Sequence, residues 1–203
     1  MIKNFTTAQQ RAIQYWFVDG LAELSAGLVC LLLAVFFLKW EVIFKTRWSL
    51  FVFLIVAFAF SFGLRLVIHR IKEHTTYLRT GYVAPLSGLE NKRAVVTAIA
   101  FTILLLVVNF YLALLGQKAL LWSSGVAGLI FAFIFAWTGY LTGLRRFCYL
   151  ALFSLVVGVA LALLKIGYLS GAAILTGLIG LILMFLGFRA GWAYTHQNLP
   201  LSG

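Results

Sequence analysis

Two acidic residues stand inside the first long apolar run of this chain, Asp19 and Glu23, in the stretch Phe17-Val18-Asp19-Gly20-Leu21-Ala22-Glu23-Leu24. Four apart on a helix, they share one face, and at 1.5 Å per residue Glu23 lies about 6 Å deeper than Asp19. A carboxyl group set among apolar residues can hold or pass a proton or a cation. It can also neutralise a basic side chain on a neighbouring helix. Either role follows from cost, since an acid at the centre of a bilayer is disfavoured by roughly 3 kcal/mol and by less near the edge. Arg65 is the partner the sequence offers, a little over one turn inside the end of the second apolar run and at a depth comparable to Glu23. The expected arrangement is a Glu23–Arg65 or Asp19–Arg65 pair that locks the first two runs together. The competing reading is a proton or cation site that opens towards the cytoplasm.

The elements that must position these groups are transmembrane helices. Of the 203 residues, 64% are hydrophobic and only 10% charged, and the charges fall between apolar runs long enough to cross a bilayer. A hydrocarbon core of about 30 Å needs about 20 residues at 1.5 Å each. Six runs qualify, near 18–38, 48–68, 94–115, 119–141, 147–164 and 168–188, and they occupy most of residues 1–203 as a single all-α membrane domain. The links after the third, fourth and fifth runs are a few residues each, so the last four runs read as an up-and-down helical unit. Residues 5–17 include Ile13, Tyr15, Trp16 and Phe17 and suit a short interfacial segment ahead of the first span. That first run has no small-residue cleavage site before a soluble domain, so it reads as a retained span and not a signal peptide.

Charge sets the expected orientation. Lys39, Lys45, Arg47, Lys118 and Lys165 fall on one side of this topology, and the other eleven of the 16 Lys and Arg on the other. Basic residues concentrate in cytoplasmic loops, which places both termini inside, in the bacterial plasma (inner) membrane. A net charge of +11 would suggest nucleic acid in a soluble protein. Here the basic residues sit at span ends, where they meet anionic lipid headgroups, and no nucleic-acid partner is expected.

The link between the second and third runs, residues 69–93, is the exception to the clipped connections and is predicted to be cytoplasmic. Tyr77-Leu78-Arg79-Thr80-Gly81-Tyr82-Val83 favours extended backbone on either side of a turn at Arg79-Thr80-Gly81, where glycine tolerates positive φ. A loop of this length either docks a partner or caps the cytoplasmic face, or else is a solvated basic connection. This loop segment, and Tyr15-Trp16-Phe17-Val18-Asp19-Gly20-Leu21-Ala22-Glu23-Leu24, are similar to segments of a group of small, uncharacterised prokaryotic multi-pass membrane proteins. In that group Pro often stands where this chain has Leu78. The resemblance covers some 17 residues and implies no activity, but it implies that the acid pair and the loop belong together.

Three small-residue pairs, Gly139/Gly143, Gly167/Gly171 and Gly187/Gly191, have the spacing that lets helices approach closely, for packing within the chain or against a second copy. Asn109, Ser123 and Ser124 are polar positions of the kind that join helices by hydrogen bonds. His69, His74 and His196 are too scattered for a metal site, and Cys30 and Cys148 form no metal or disulfide pattern. No catalytic triad or phosphate-cradling loop is present, and no cofactor is expected.

Three function classes are left. Foremost is a non-enzymatic accessory or scaffolding subunit that binds another membrane protein or itself. Next is a small ion- or proton-coupled transporter or channel built on Asp19 and Glu23. An intramembrane enzyme comes last, for want of a nucleophile–base pair. If the ion pair exists, a double-mutant cycle of Glu23→Gln and Arg65→Gln in unfolding measurements gives a coupling of about 1 kcal/mol or more; additive effects would refute the pairing.

Overall fold

The computed structural model describes residues 17–40, 59–60, 62–64, 66–68, 70–71, 103, 107–108, 111–112, 114–116 and 121–197. Regular structure among these residues is entirely helical. Four long helices account for most of it: α1 (Leu21–Leu38), α2 (Ser123–Thr142), α3 (Arg145–Leu163) and α4 (Tyr168–Gln197). All four are long and apolar enough to cross a membrane, with mean hydropathy between 1.7 and 2.4.

These helices correspond to the first, fourth, fifth and sixth apolar runs. The second and third runs lie largely outside the described residues; the parts within them, including 66–68 and 107–108, are helical. Arg65, Asn109 and the loop residues Tyr77, Arg79, Thr80, Gly81 and Tyr82 also lie outside. The largest difference in bounds is at α4, which continues to Gln197 where the apolar run stops at Phe188. Hydropathy ends at Arg189, but nothing in Arg189-Ala190-Gly191-Trp192-Ala193-Tyr194 breaks a helix. A lone glycine costs only about 1 kcal/mol.

The chain divides into two compact units, one made of Met1–Gln14 with Pro85–Thr176 and the other of Tyr15–Ala84 with Gly177–Gly203. In the first, α2 and α3 form an antiparallel hairpin. Its turn is set by Gly143, whose left-handed φ of 67° suits the absence of a Cβ and whose N–H donates to the Gly139 carbonyl at 2.8 Å. The Thr142 hydroxyl accepts from Leu144 N at 3.3 Å, closing the turn. Along the hairpin the backbones touch: a Cβ on Gly128 would sit 2.7 Å from Gly158 Cα, and one on Gly158 2.6 Å from Gly128 Cα. Ser124 and Ser154 flank this contact and are fully buried. The Ser154 hydroxyl donates to Leu150 O at 2.8 Å, and that of Thr176 to Ala172 O at 2.7 Å, so each is satisfied on its own helix.

The turn from α3 to α4 ends α3 in a double hydrogen bond: Lys165 N–H donates to Ala162 O at 3.1 Å and Ile166 N–H to Leu161 O at 3.3 Å. This motif places Lys165 at φ 53°, a position usually given to glycine. A side chain in that region costs roughly 1 kcal/mol. Lys165→Gly is therefore expected to stabilise the protein by up to about 1 kcal/mol, less the entropy glycine adds to the unfolded chain. The comparison is of unfolding free energies in detergent micelles, and a loss of stability would contradict this account of the turn.

Candidate functional site at the contact of helices α1 and α4

Both acids lie in the second unit, where α1 meets the later part of α4. On α1 the buried positions Glu23, Gly27, Cys30 and Ala34 continue from Gly20 in alternating steps of three and four. On α4 Gly180, Leu183, Gly187 and Tyr194 are buried at matching steps. Such spacing keeps one stripe facing a partner helix over several turns.

The stripes meet in antiparallel register, and they meet at glycines. A Cβ on Gly20 would collide with the Gly187 carbonyl oxygen. One on Gly187 would lie 2.7 Å from Gly20 O, one on Gly27 2.9 Å from Gly180 O, and one on Gly180 2.9 Å from Gly27 O. Two matched pairs, seven residues apart on each helix, thus bring backbone against backbone. Gly191 extends the stripe, its Cβ position lying 3.1 Å from Asp19 O, and Gly177 lies against Ala34.

The carboxylates sit inside and at the end of this close contact. Glu23 lies between Gly20 and Gly27 along α1 and is only 1% exposed. Charge at such burial is tolerated only with compensation by a partner or a proton. Asp19, 5% exposed, performs a structural task at the helix start. Its Oδ1 accepts from Leu21 N at 3.1 Å, and Gly20 turns the chain at φ 69° so that Leu24 N–H can donate to Gly20 O at 3.0 Å. The Asp-Gly sequence is thus the start signal of α1. It begins the helix at Leu21, past the apolar boundary at Val18.

Asp19 also walls an open cavity of about 280 Å³, together with Leu24, Ile71, Phe188, Gly191 and Trp192. Phe188, Trp192 and His196 follow at four-residue steps; ring centroids are 6.3 Å apart for the first pair and 4.4 Å for the second. His196 Nδ1 lies 3.0 Å from Trp192 O, which fixes the imidazole along the helix.

The structure therefore brings Asp19 and Glu23 together with Gly187 and Gly191, which the sequence singled out for a different reason. The other glycine pairs divide their roles. Gly139 packs on Phe147 and Cys148 while Gly143 makes the hairpin turn. Gly171 packs on Ser124, while Gly167 has nothing within 4 Å of its Cβ position. Gly180 lies on the small-residue face expected of the last span, whereas Gly20 and Gly27, the partners of Gly187 and Gly180, and the pair Gly128 with Gly158 are contact points that four-residue spacing does not mark. The signal of the α1–α4 set in the sequence is the seven-residue recurrence Gly20–Gly27 and Gly180–Gly187. Among the described residues, no group of three His, Cys, Asp or Glu could hold a metal ion.

Filling the glycine contact should break it. Gly27→Leu, which drives a side chain into Gly180 and Met184, is expected to destabilise the protein by about 1–3 kcal/mol. Ala26→Leu, at the neighbouring exposed position, should change stability by less than about 0.5 kcal/mol. Equal losses in thermal unfolding would show that the α1–α4 contact is not a tight one. No protein-family model matches the chain, and no curated protein or solved structure is significantly similar to it, so its function is read from the helices themselves.

Proposed function

We propose that this chain is a non-enzymatic accessory subunit of the bacterial inner membrane, with six spans and both termini in the cytoplasm, that works by binding another membrane component. The observation that carries this reading is the closure of the helix contacts. Where α2 meets α3 and where α1 meets α4, glycine backbones fill the space a polar pathway would need. The buried hydroxyls of Thr142, Ser154 and Thr176 all donate to carbonyls of their own helices. Transport sites near the bilayer midplane use unwound backbone and polar groups converging from several spans. In contrast, α1, α2, α3 and α4 run unbroken and also carry large side chains on their outer faces. Tyr149, Leu152 and Val156 on α3 and Leu181 and Phe185 on α4 are exposed. Such faces suit lipid and a second apolar surface equally, and the 69–93 loop offers a cytoplasmic contact of another kind.

A second reading has its own observation. Asp19 walls an open cavity just ahead of α1 and Glu23 is buried in the first turn of that helix, the order a proton or cation would meet them on entering from the α1 start. In this reading the pair serves a small ion-coupled transporter or channel.

Native mass spectrometry of the protein, extracted gently from its host's membranes, separates the two. A stoichiometric second protein, lost when Tyr77, Arg79 and Tyr82 are replaced together by alanine, is the outcome expected of an accessory subunit. A lone chain or homo-oligomer that takes up protons in vesicles, and stops doing so as Glu23→Gln, would replace that reading with the transporter.

A further inference from the structure

Along α4, packing and hydrogen bonding single out one dipeptide, Thr176-Gly177. Of the five glycines in this helix, four are held by close contacts. An added Cβ would lie 3.0 Å from Ser124 Cβ at Gly171, 2.9 Å from Gly27 O at Gly180, 2.7 Å from Gly20 O at Gly187 and 3.1 Å from Asp19 O at Gly191. Gly177 is the exception. A Cβ there would meet Ala34 Cβ at 3.6 Å, an ordinary contact that an alanine makes without strain. Packing therefore does not demand a glycine at this position, although one inside a helix costs stability relative to alanine.

The residue before it weakens the same place by another route. The Thr176 hydroxyl donates to Ala172 O at 2.7 Å and lies 3.2 Å from Ala173 O. In an α-helix these two carbonyls are the acceptors of the Thr176 and Gly177 N–H groups, so the hydroxyl competes with two successive rungs. Two other Thr-Gly pairs stand among the described residues, each with the same bond back over four residues. At Thr138-Gly139 the hydroxyl bonds to Ile134 O, and the glycine is pressed close, its Cβ position 3.1 Å from Cys148 Sγ. At Thr142-Gly143 the hydroxyl bonds to Thr138 O, and the glycine leaves the helix at φ 67°. The local chemistry that ends α2 is thus carried through the middle of α4, without a close contact to hold it. Ahead of the pair α4 packs on α2 at Gly171, and beyond it on α1 at Gly180 and Gly187.

We propose that Thr176-Gly177 is a flexure point, at which α4 opens locally and bends without ending. Sharp bends in helices concentrate at pairs of small residues such as Gly and Ser, and where a side chain enters the backbone ladder; both conditions meet here. Opening needs only the two shared rungs to break, so the contacts at Gly171, Gly180 and Gly187 stay made. The flexure is independent of whether the chain serves as a subunit or a transporter.

The test is residue-resolved amide hydrogen exchange of the full chain in detergent micelles, followed by nuclear magnetic resonance. Rates are compared as protection, so that the intrinsic rates of the residue types cancel. Access of water by itself makes exchange slowest at the middle of a span. The flexure reverses that order. The Thr176 and Gly177 amides are expected to exchange faster than those of Ala173 and Leu183, which lie about 8 Å either side of the midpoint of the Tyr168–Phe188 run and so nearer to water. Gly177→Ala, which the space beside Ala34 admits, should slow the two amides roughly fivefold, the scale of alanine's helix preference over glycine. Thr176→Val keeps the branched shape and removes the hydroxyl; it should slow them as well, and it decides the matter if the alanine variant does not fold. Thr176 and Gly177 amides that exchange no faster than those of Ala173 and Leu183, or that neither variant slows, would overturn the proposal.

Discussion

Inside a bilayer, burying an apolar side chain against another helix gains little over leaving it in lipid, because both surroundings are hydrocarbon. Helices that hold together there do so through close packing, and packing is closest where side chains are missing. The contact of α1 with α4 rests on this constraint. Gly20 faces Gly187 and Gly27 faces Gly180, and the backbones touch at both places. The α2–α3 hairpin is built the same way at Gly128 and Gly158. Larger residues such as Phe185 and Leu152 are then left to face outward, where their bulk hinders nothing. Bulk is not excluded from the interior, since Leu175, Ile179 and Leu183 of α4 and Phe147 and Leu150 of α3 are buried too, but the closest approaches are made where glycines meet.

Polar groups obey the second constraint of the bilayer, that hydrogen-bonding capacity be met locally. Thr142, Ser154 and Thr176 meet it by bonding back to the preceding turn, and so can be buried at helix contacts without needing a partner across them. Asp19 meets part of it by organising the first turn of α1. Glu23 stands in the first turn of α1, where a carboxylate faces the positive end of the helix dipole, and is wholly buried. That makes it the residue on which the structural and the ion-coupled readings divide.

The sequence disclosed α1, α2, α3 and α4 because hydrophobic run length is a direct consequence of bilayer thickness; the common helical face expected of Asp19 and Glu23 does not extend to Asp19, because Gly20 turns left-handed between them and α1 starts at Leu21. The sequence stopped α4 at Phe188, because Arg189, His196 and Gln197 make the final turns polar while they remain helical. It found glycines without finding their partners. A small-residue pair states that a helix can be approached closely and says nothing of which helix approaches; only the register between α1 and α4 supplies that. The turns were half readable. Gly143 announces itself by residue type, whereas Lys165 holds a left-handed conformation that its type disfavours, imposed by the hydrogen bonds closing α3.

The sevenfold spacing of the glycines has a consequence for alignment. A ruler marked identically on both edges can be slid by one division and still match: moving α1 along α4 by seven residues would set Gly20 against Gly180, again backbone to backbone. Shape complementarity thus admits more than one axial alignment. The slide would carry Glu23 about 10 Å further towards the middle of the membrane, where an acid is most costly, and would draw the Asp19 turn in behind it. The fit of the glycines governs how near the helices come, and the position of two carboxylates governs how far along each other they lie.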